Sequence, residues 1–352
     1  DQFIIDLLVW YHLAWMGETV RRSNLLVKQL MAKGTGFTLH DRRQLLKLIG
    51  ELLSSVIDRY RELAEKGQIE LSMSPYAHPI LPLLLDLETA RDAMPDVAMP
   101  QLQAYPGGEE RVDWHIKEGL DTFEQYFGMR PVGCWPSEGG VSAATLQKLE
   151  DHGFTWAASG ESVFRHSQAN KENASLAGGS LYQGFTVAGG ELACFFRDDG
   201  LSDLIGFTYS DWHADDAVAN LIEHLENIAA STRGQENPLV SIILDGENAW
   251  EHFPENGYYF LNTLYQRLSE HVDLKMTTYS DYLAAARNQP DIKRLVSGSW
   301  VYGTFSTWIG DKDKNRGWEM LVDAKKVFDA TLEENTLSGE QVLAAQHQLS
   351  IC

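Results

Sequence analysis

The chain has 352 residues, 44 % of them apolar, enough for one large domain with a sizeable core plus a smaller appendage. Its formal charge is −21, from 29 Lys and Arg against 50 Asp and Glu. A surface this acidic repels phosphate backbones and anionic lipid, so neither nucleic acid nor a membrane is an expected partner, whereas a neutral ligand such as a sugar meets no such penalty.

Residues 3–66 read as helical. "FIIDLLVWYHLAWMGETVRR" is apolar on more than one face, as in a buried helix. It contains Asp6 and His12 and is too short to span a bilayer. No signal peptide is visible, and a cytoplasmic location is expected. Gly34–Gly36 breaks the run; "TLHDRRQLLKLIGELLSSVIDRYRELAEKG" then shows an i, i+3, i+4, i+7 stripe, with Gly67 as its stop. "QIELSM" (68–73) reads as a short strand, and "SPYAHPILPLLLD" as a proline-punctuated loop entering a helix.

The pattern then alternates. "DWHIKEGLDTFEQYFG" reads as a helix, "PVGCWPSEG" as strand and loop, "SAATLQKLEDHG" as a helix and "FTWAASG" as a strand. Further on come "ADDAVANLIEHLENIAAS" (helix), "PLVSIILDGEN" (strand), "GYYFLNTLYQRLSEH" (helix) and "VDLKMTT" (strand). Strands followed by helices imply βαβ units and a parallel sheet, and their number suits a barrel. Barrels place their chemistry at the C-terminal strand ends, so Glu70, Glu138 and Asp245 are expected on one rim. Residues 1–290 are read as this barrel with its N-terminal helical segment. Residues 291–352 are read as the Gly- and Trp-rich "GSWVYGTFSTWIGDKDKNRGWEML" followed by helices that pack on it, with Ser338 as an N-cap.

Two stretches hold acids where apolar strands end. In "GCWPSEGGVS", Pro136 and Gly139-Gly140 force a tight turn around Glu138, and Ser142 can cap the next helix; the alternative is a plain surface turn acid. In "IILDGENAWEHF", Asp245 closes an apolar strand, and carboxylates are costly to desolvate unless paired or used. Glu247 two residues on is read as hydrogen-bonding neighbouring loops. Glu138 and Asp245 are therefore candidates for a two-carboxylate glycosidase, which needs one carboxyl protonated and one ionised.

Other chemistries find less support. His78, His115, His213 and His252, with Asp198, Asp199 and Asp203, leave a dispersed metal site open, but no H-x-x-x-H or H-E-x-x-H occurs and no metal or other cofactor is assigned. There is no G-x-S-x-G. Cys134, Cys194 and Cys352 are too scattered for a disulfide framework, and Cys134 reads as a small buried strand residue. The 10 Trp, 13 Tyr and 14 Phe include many indoles beside Gly or acids, an arrangement suited to sugar faces as well as to cores.

In order along the chain, "GQIEL", "SPYAHPILPLL", "GCWPSEGGVS", "FRDDGLSDLIGF", "ILDGENAWEHF" and "GSWVYGTFSTWIGD" resemble the motifs of glycoside hydrolase family 57, a family of retaining α-glucan-active enzymes that includes amylopullulanases, α-amylases, glucanotransferases and branching enzymes. The resemblance covers most of the chain and leans to the amylopullulanase-like or α-amylase branch. It implies an α/β fold, an incomplete (β/α)7 barrel with helical insertions and a C-terminal helical region. It implies Glu138 as nucleophile and Asp245 as general acid/base. Glu70, His78, Trp135, Glu247, Trp250, Trp300 and Trp308 are implied as substrate-binding residues, and an α-glucan as the partner. The family's opening "HQP"-type strand is not found before "GQIEL". Because the chain begins on Asp1, inside a helix, that strand is expected to lie outside it. Two rivals stay open: a metal-dependent polysaccharide deacetylase or α-mannosidase-like hydrolase on a related barrel, and a non-catalytic glucan-binding protein.

Overall fold

The structure, a computed structural model, describes all residues except Gln103, Arg287, Asn335, Thr336 and Cys352, and the backbone alone for Glu247 and Asn248. It forms two compact units. The first holds residues 1–69, 200–233 and 243–276; the second holds 70–199, 234–242 and 277–352. The division cuts across the sequence because the chain leaves the second unit twice and returns.

The first unit is helical, as periodicity predicts. Helices Gln2–Ala14, Leu25–Lys33 and Leu39–Glu65 bury Val9, Leu13, Val27, Leu30 and Leu45 with Met16 and Phe37. The longest begins with a reciprocal cap between Thr38 and Asp41, and Lys33 pairs with Asp41 at 2.5 Å. The hydrogen bond from Lys33, then those of the Thr38 cap, hold the Asp41 carboxyl down at about 2. Helices Ala214–Ser231 and Tyr258–Glu270 pack through Val218, Leu221, Phe260 and Leu264.

The second unit carries the sheet. Strands β1 (Gly133–Cys134), β2 (Trp156–Ser159) and β4 (Ala193–Phe196) run parallel in the order β1-β2-β4. Met73 adds a parallel bridge to Cys134, and on the far side Asp198 donates its N–H to the Ser241 carbonyl at 2.8 Å. A second parallel pair joins β3 (Thr186–Val187) to β5 (Asp291–Ile292). Helices Gly108–Phe127 and Ala143–Asp151 cover the sheet with Val112, Ile116, Leu120, Leu146 and Leu149. Ser142 caps the latter as read from sequence, and Ser338 caps the helix Gly339–Ser350.

Several strands differ from expectation. "QIELSM" pairs only at Met73, "VDLKMTT" forms no strand, and "PLVSIILD" is extended without an assigned ladder. β3, β4 and β5 were not foreseen. Every residue of β4 is buried, so its sequence lacks the alternation that marks a half-exposed strand. Among the described residues, the sheet pairs fewer strands than the seven of the expected barrel.

Candidate active site

Glu138 sits just beyond β1, where the parallel strands end. Pro136 and Ser137 turn the chain, and Glu138 adopts φ 55°, ψ 28°, the left-handed region a non-glycine residue rarely enters. Its backbone is fixed from both sides. The Trp300 N–H donates to the Glu138 carbonyl at 3.1 Å, and Val141 and Gly298 exchange both backbone hydrogen bonds, at 2.8 and 3.1 Å. Ser159, ending β2, donates its hydroxyl to the Gly139 carbonyl at 2.6 Å.

Each oxygen of the Glu138 carboxylate has a donor. His78 Nε2 meets Oε1 at 3.2 Å, and Trp300 Nε1 donates to Oε2 at 2.9 Å. The side chain of Glu138 is still 33 % exposed and that of His78 52 %, so solvent reaches both. The Trp135 and Trp300 rings meet edge to face at 5.2 Å. Beneath them the Arg197 guanidinium lies 5.5 Å from the Trp300 ring, within cation–π range, and its Nη1 pairs with Asp199 at 2.8 Å.

Backbone strain is concentrated here. Ala77 (φ 59°), His78 (φ 60°), Glu138 (φ 55°) and Tyr302 (φ 59°) are all left-handed and all lie on segments around the carboxylate. Each such residue costs on the order of 1–3 kcal/mol and persists only where its surroundings overdetermine it, as at functional sites. A Cβ on Gly160 would stand 2.6 Å from Trp300 Cα, so only glycine lets the Trp300 segment approach this closely.

The rim holds further charge. Burial raises the Asp199 carboxyl above its usual range, despite the Arg197 pair and with Glu161 nearby. Burial, with the Asp198 charge beside it, also pushes the Tyr182 hydroxyl up; that hydroxyl donates to Asp198 at 3.1 Å. Arg197 and Glu161 escaped the sequence reading. The signal was present: "RDD" follows the buried "ACFF", the same apolar-strand-then-charge pattern that drew attention to Asp245.

Next to His78 lies a cleft of about 380 Å³ whose lining includes Arg111, His115, Trp308 and Trp318. His115 Nδ1 donates to the Tyr76 carbonyl at 2.7 Å, so Nε2 accepts from Arg111 Nε at 2.9 Å. Burial first, then the Arg111 charge, lowers the His115 pKa to about 4.

The structure thus brings Glu138, His78, Trp135 and Trp300 together, with Trp308 on the cleft that His78 also lines. Glu70 is a correction. It precedes Met73 at the beginning of the strands, not on the rim with Glu138. There it accepts from Trp156 Nε1 at 2.8 Å and from the Ser280 N–H at 3.1 Å, and also bonds the Ser280 hydroxyl. These bonds tie the start of β2 to the Ser280 turn. Asp245 and Trp250 belong to the first unit. Asp245 is the N-cap residue of the helix Gly246–His252, and the Trp250 ring packs 5.5 Å from Phe253 and 6.2 Å from Phe260. The Glu247 side chain lies outside the described residues. Cys134 is buried in β1, as read from sequence. Among the described residues, no group of three or more His, Cys, Asp or Glu is arranged to hold a metal ion, and no helix is long and apolar enough to cross a membrane.

Fold and site together define a parallel α/β protein that holds a carboxylate beside a pair of packed indole rings at the strand ends. Within that class, the sequence profile of glycosyl hydrolase family 57 matches residues 8–293, and the chain belongs to that family. It is 26 % identical over 106 residues to the 1,4-alpha-glucan branching enzyme TK1436 of Thermococcus kodakarensis, a match that spans 30 % of this chain and 12 % of that protein. Its fold is similar to the crystal structure of the GH57-type branching enzyme from Pyrococcus horikoshii (TM-score 0.67, 15 % identity, covering 100 % of this chain and 71 % of that one). It is also similar to the alpha-amylase AmyC from Thermotoga maritima (TM-score 0.60, 14 % identity, covering 96 % and 69 %).

Proposed function

We propose that this protein is a retaining α-glucan hydrolase or transglycosidase in which Glu138 is the nucleophile and Asp245 the general acid/base. The observation that carries the reading is the Glu138 carboxylate itself. It is set on strained backbone at a strand end, oriented by one donor on each oxygen, flanked by Trp135 and Trp300, and open to solvent. A surface acid would need none of these supports.

In the first step Glu138 attacks the anomeric carbon while Asp245 gives its proton to the departing glycosidic oxygen. In the second, Asp245 takes a proton from water or a sugar hydroxyl, which displaces Glu138 with net retention of configuration. His78 and Trp300 hold the nucleophile's rotation, so it meets substrate already aligned. The indoles offer flat apolar faces to the hexose rings, with Trp308 extending that lining along the neighbouring cleft. Glu247 and Trp250 are assigned to the acid/base side, and the short sheet is read as part of a (β/α)7-type barrel. Glu70 contributes by anchoring Trp156 and Ser280 rather than by touching sugar.

The test is covalent trapping. Incubation with a 2-deoxy-2-fluoro glucosyl fluoride and peptide mapping should place one fluoroglucosyl group on Glu138. A label on another acid, or an inverted product anomer by NMR, would overturn the assignment. Product analysis on amylose, pullulan and glycogen then separates α-1,4 from α-1,6 cleavage and hydrolysis from transfer. Binding without any released or rearranged product would point to a glucan-binding protein instead.

A further inference from the structure

The first unit contains a cleft of about 400 Å³ that the catalytic reading does not use. Its lining includes Trp212, His213, Asp215, Glu255 and Tyr259, all residues of that unit. Trp212 is 43 % and Tyr259 48 % exposed, while the rings behind them, Tyr209, Phe253 and Phe260, are buried. The exposed rings are held rather than loose. The Trp212 indole meets Tyr209 edge to face at 5.4 Å, and the Trp212 backbone N–H donates to the Tyr209 carbonyl at 3.1 Å. Tyr209 is anchored by its hydroxyl, which donates to Asn220 at 2.9 Å. Arg22 donates to the Tyr259 hydroxyl at 2.5 Å, with its guanidinium 5.1 Å from the ring.

Polar groups converge on the same space. Thr263 donates to Asp215 at 3.3 Å, fixing that carboxylate on the cleft wall. Glu255 (φ 50°) and Asn256 (φ 55°) are both left-handed, an outlier pair in the loop that forms the cleft's edge. Among the described residues that line the cleft there is no Lys or Arg, while two carboxylates are present. Rigid exposed rings with carboxylate acceptors between them suit a neutral polyhydroxylated chain: the rings cover apolar sugar faces and the carboxylates accept from hydroxyls.

We infer that this cleft binds a segment of α-glucan, with Trp212 and Tyr259 as its sugar-contacting rings and Asp215 and Glu255 as its acceptors. The inference rests on the glucan reading proposed above. A polymeric substrate repeats its own recognition element, so a second contact raises the chain's residence without new chemistry.

The test is affinity electrophoresis of the full chain in native gels containing glycogen or amylose, in a Glu138→Gln background so that the polymer is not consumed. The parent should be retarded, and Trp212→Ala should weaken the dissociation constant about five- to ten-fold. Ala214→Trp, which fills the cleft and removes no contact, should do the same and guards against a folding artefact. Both variants migrating like the parent would overturn the inference, as would an unretarded parent. Relief of retardation by a lysine-rich peptide but not by maltoheptaose would assign the cleft to a cation and overturn it equally. Trapping at Glu138 reports on the catalytic reading alone, and the difference in retardation between the parent and the two cleft variants reports on the cleft.

Discussion

The rim around Glu138 and the helices near the N-terminus solve opposite problems. Around Glu138, segments far apart in sequence lock one carboxylate by backbone bonds, indole contacts and left-handed residues, and little can move without a clash. In the first unit, helix Gln2–Ala14 leaves Phe3, Ile4, Leu7 and Leu8 exposed, and helix Leu39–Glu65 buries Leu45 alone. Periodicity and capping suffice to make those helices, but they do not by themselves cover the stripe. The contrast shows where tolerance to change lies: low on the overdetermined rim, high on the sparsely packed helices.

The largest expected effect breaks the rim's chemistry without breaking its fold. Glu138→Gln keeps the size and both contact positions, so turnover on maltooligosaccharides should fall by ~10³-fold or more while the thermal midpoint stays within about 2 °C. Steady-state rates beside a melting curve check this. A comparable loss in melting temperature would mean that the residue serves the fold.

Gly160→Ala should be strongly destabilising. Its Cβ would meet Trp300 backbone, which cannot swing away as a flexible side chain could. A loss of about 2–3 kcal/mol is expected from urea denaturation. An unchanged midpoint would show that the Trp300 segment is free to shift, and with it the orientation of Glu138.

His115 links stability to acid. It stays neutral in the folded chain down to about pH 4, whereas an unfolded histidine titrates near 6.5. Between those values unfolding takes up a proton, so its contribution is complete above about pH 6.5 and is lost as pH falls toward 4, by up to ~3 kcal/mol. Urea midpoints across that range should decline, and the part due to this residue should vanish in His115→Gln. A slope unaltered by the substitution would refute the assignment.

Trp300→Phe is a finer probe. It keeps a ring beside Trp135 but removes the indole donor to Glu138 Oε2. About a ten-fold loss in kcat is expected, with a smaller change in KM; an equal loss in KM alone would make Trp300 a sugar platform only. The smallest effect returns to the helices. Gly50 lies inside helix Leu39–Glu65 with open space where a Cβ would go, so Gly50→Ala should stabilise by ~0.5–1 kcal/mol, the opposite sign to the same exchange at Gly160.

Much of this was legible in the residues. The helices, the stops at Gly34 and Gly67 and the caps at Ser142 and Ser338 depend on periodicity and bonds within one turn, which a local stretch dictates by itself. The "PSEGG" turn marked Glu138 as a positioned acid for the same reason, and the ordered motifs were enough to indicate the family. Strands β1 and β2 fall within segments read as strands, but β3, β4 and β5 were not legible, since a ladder of two to four residues is stabilised by its neighbours and leaves no alternation of its own. Nor could local pattern show that Glu70 would bind Trp156 and Ser280 at the far end of the strands. His78 and Trp300 reach Glu138 across 60 and 162 residues of chain, and only the packed sheet decides which distant donors arrive at one carboxylate.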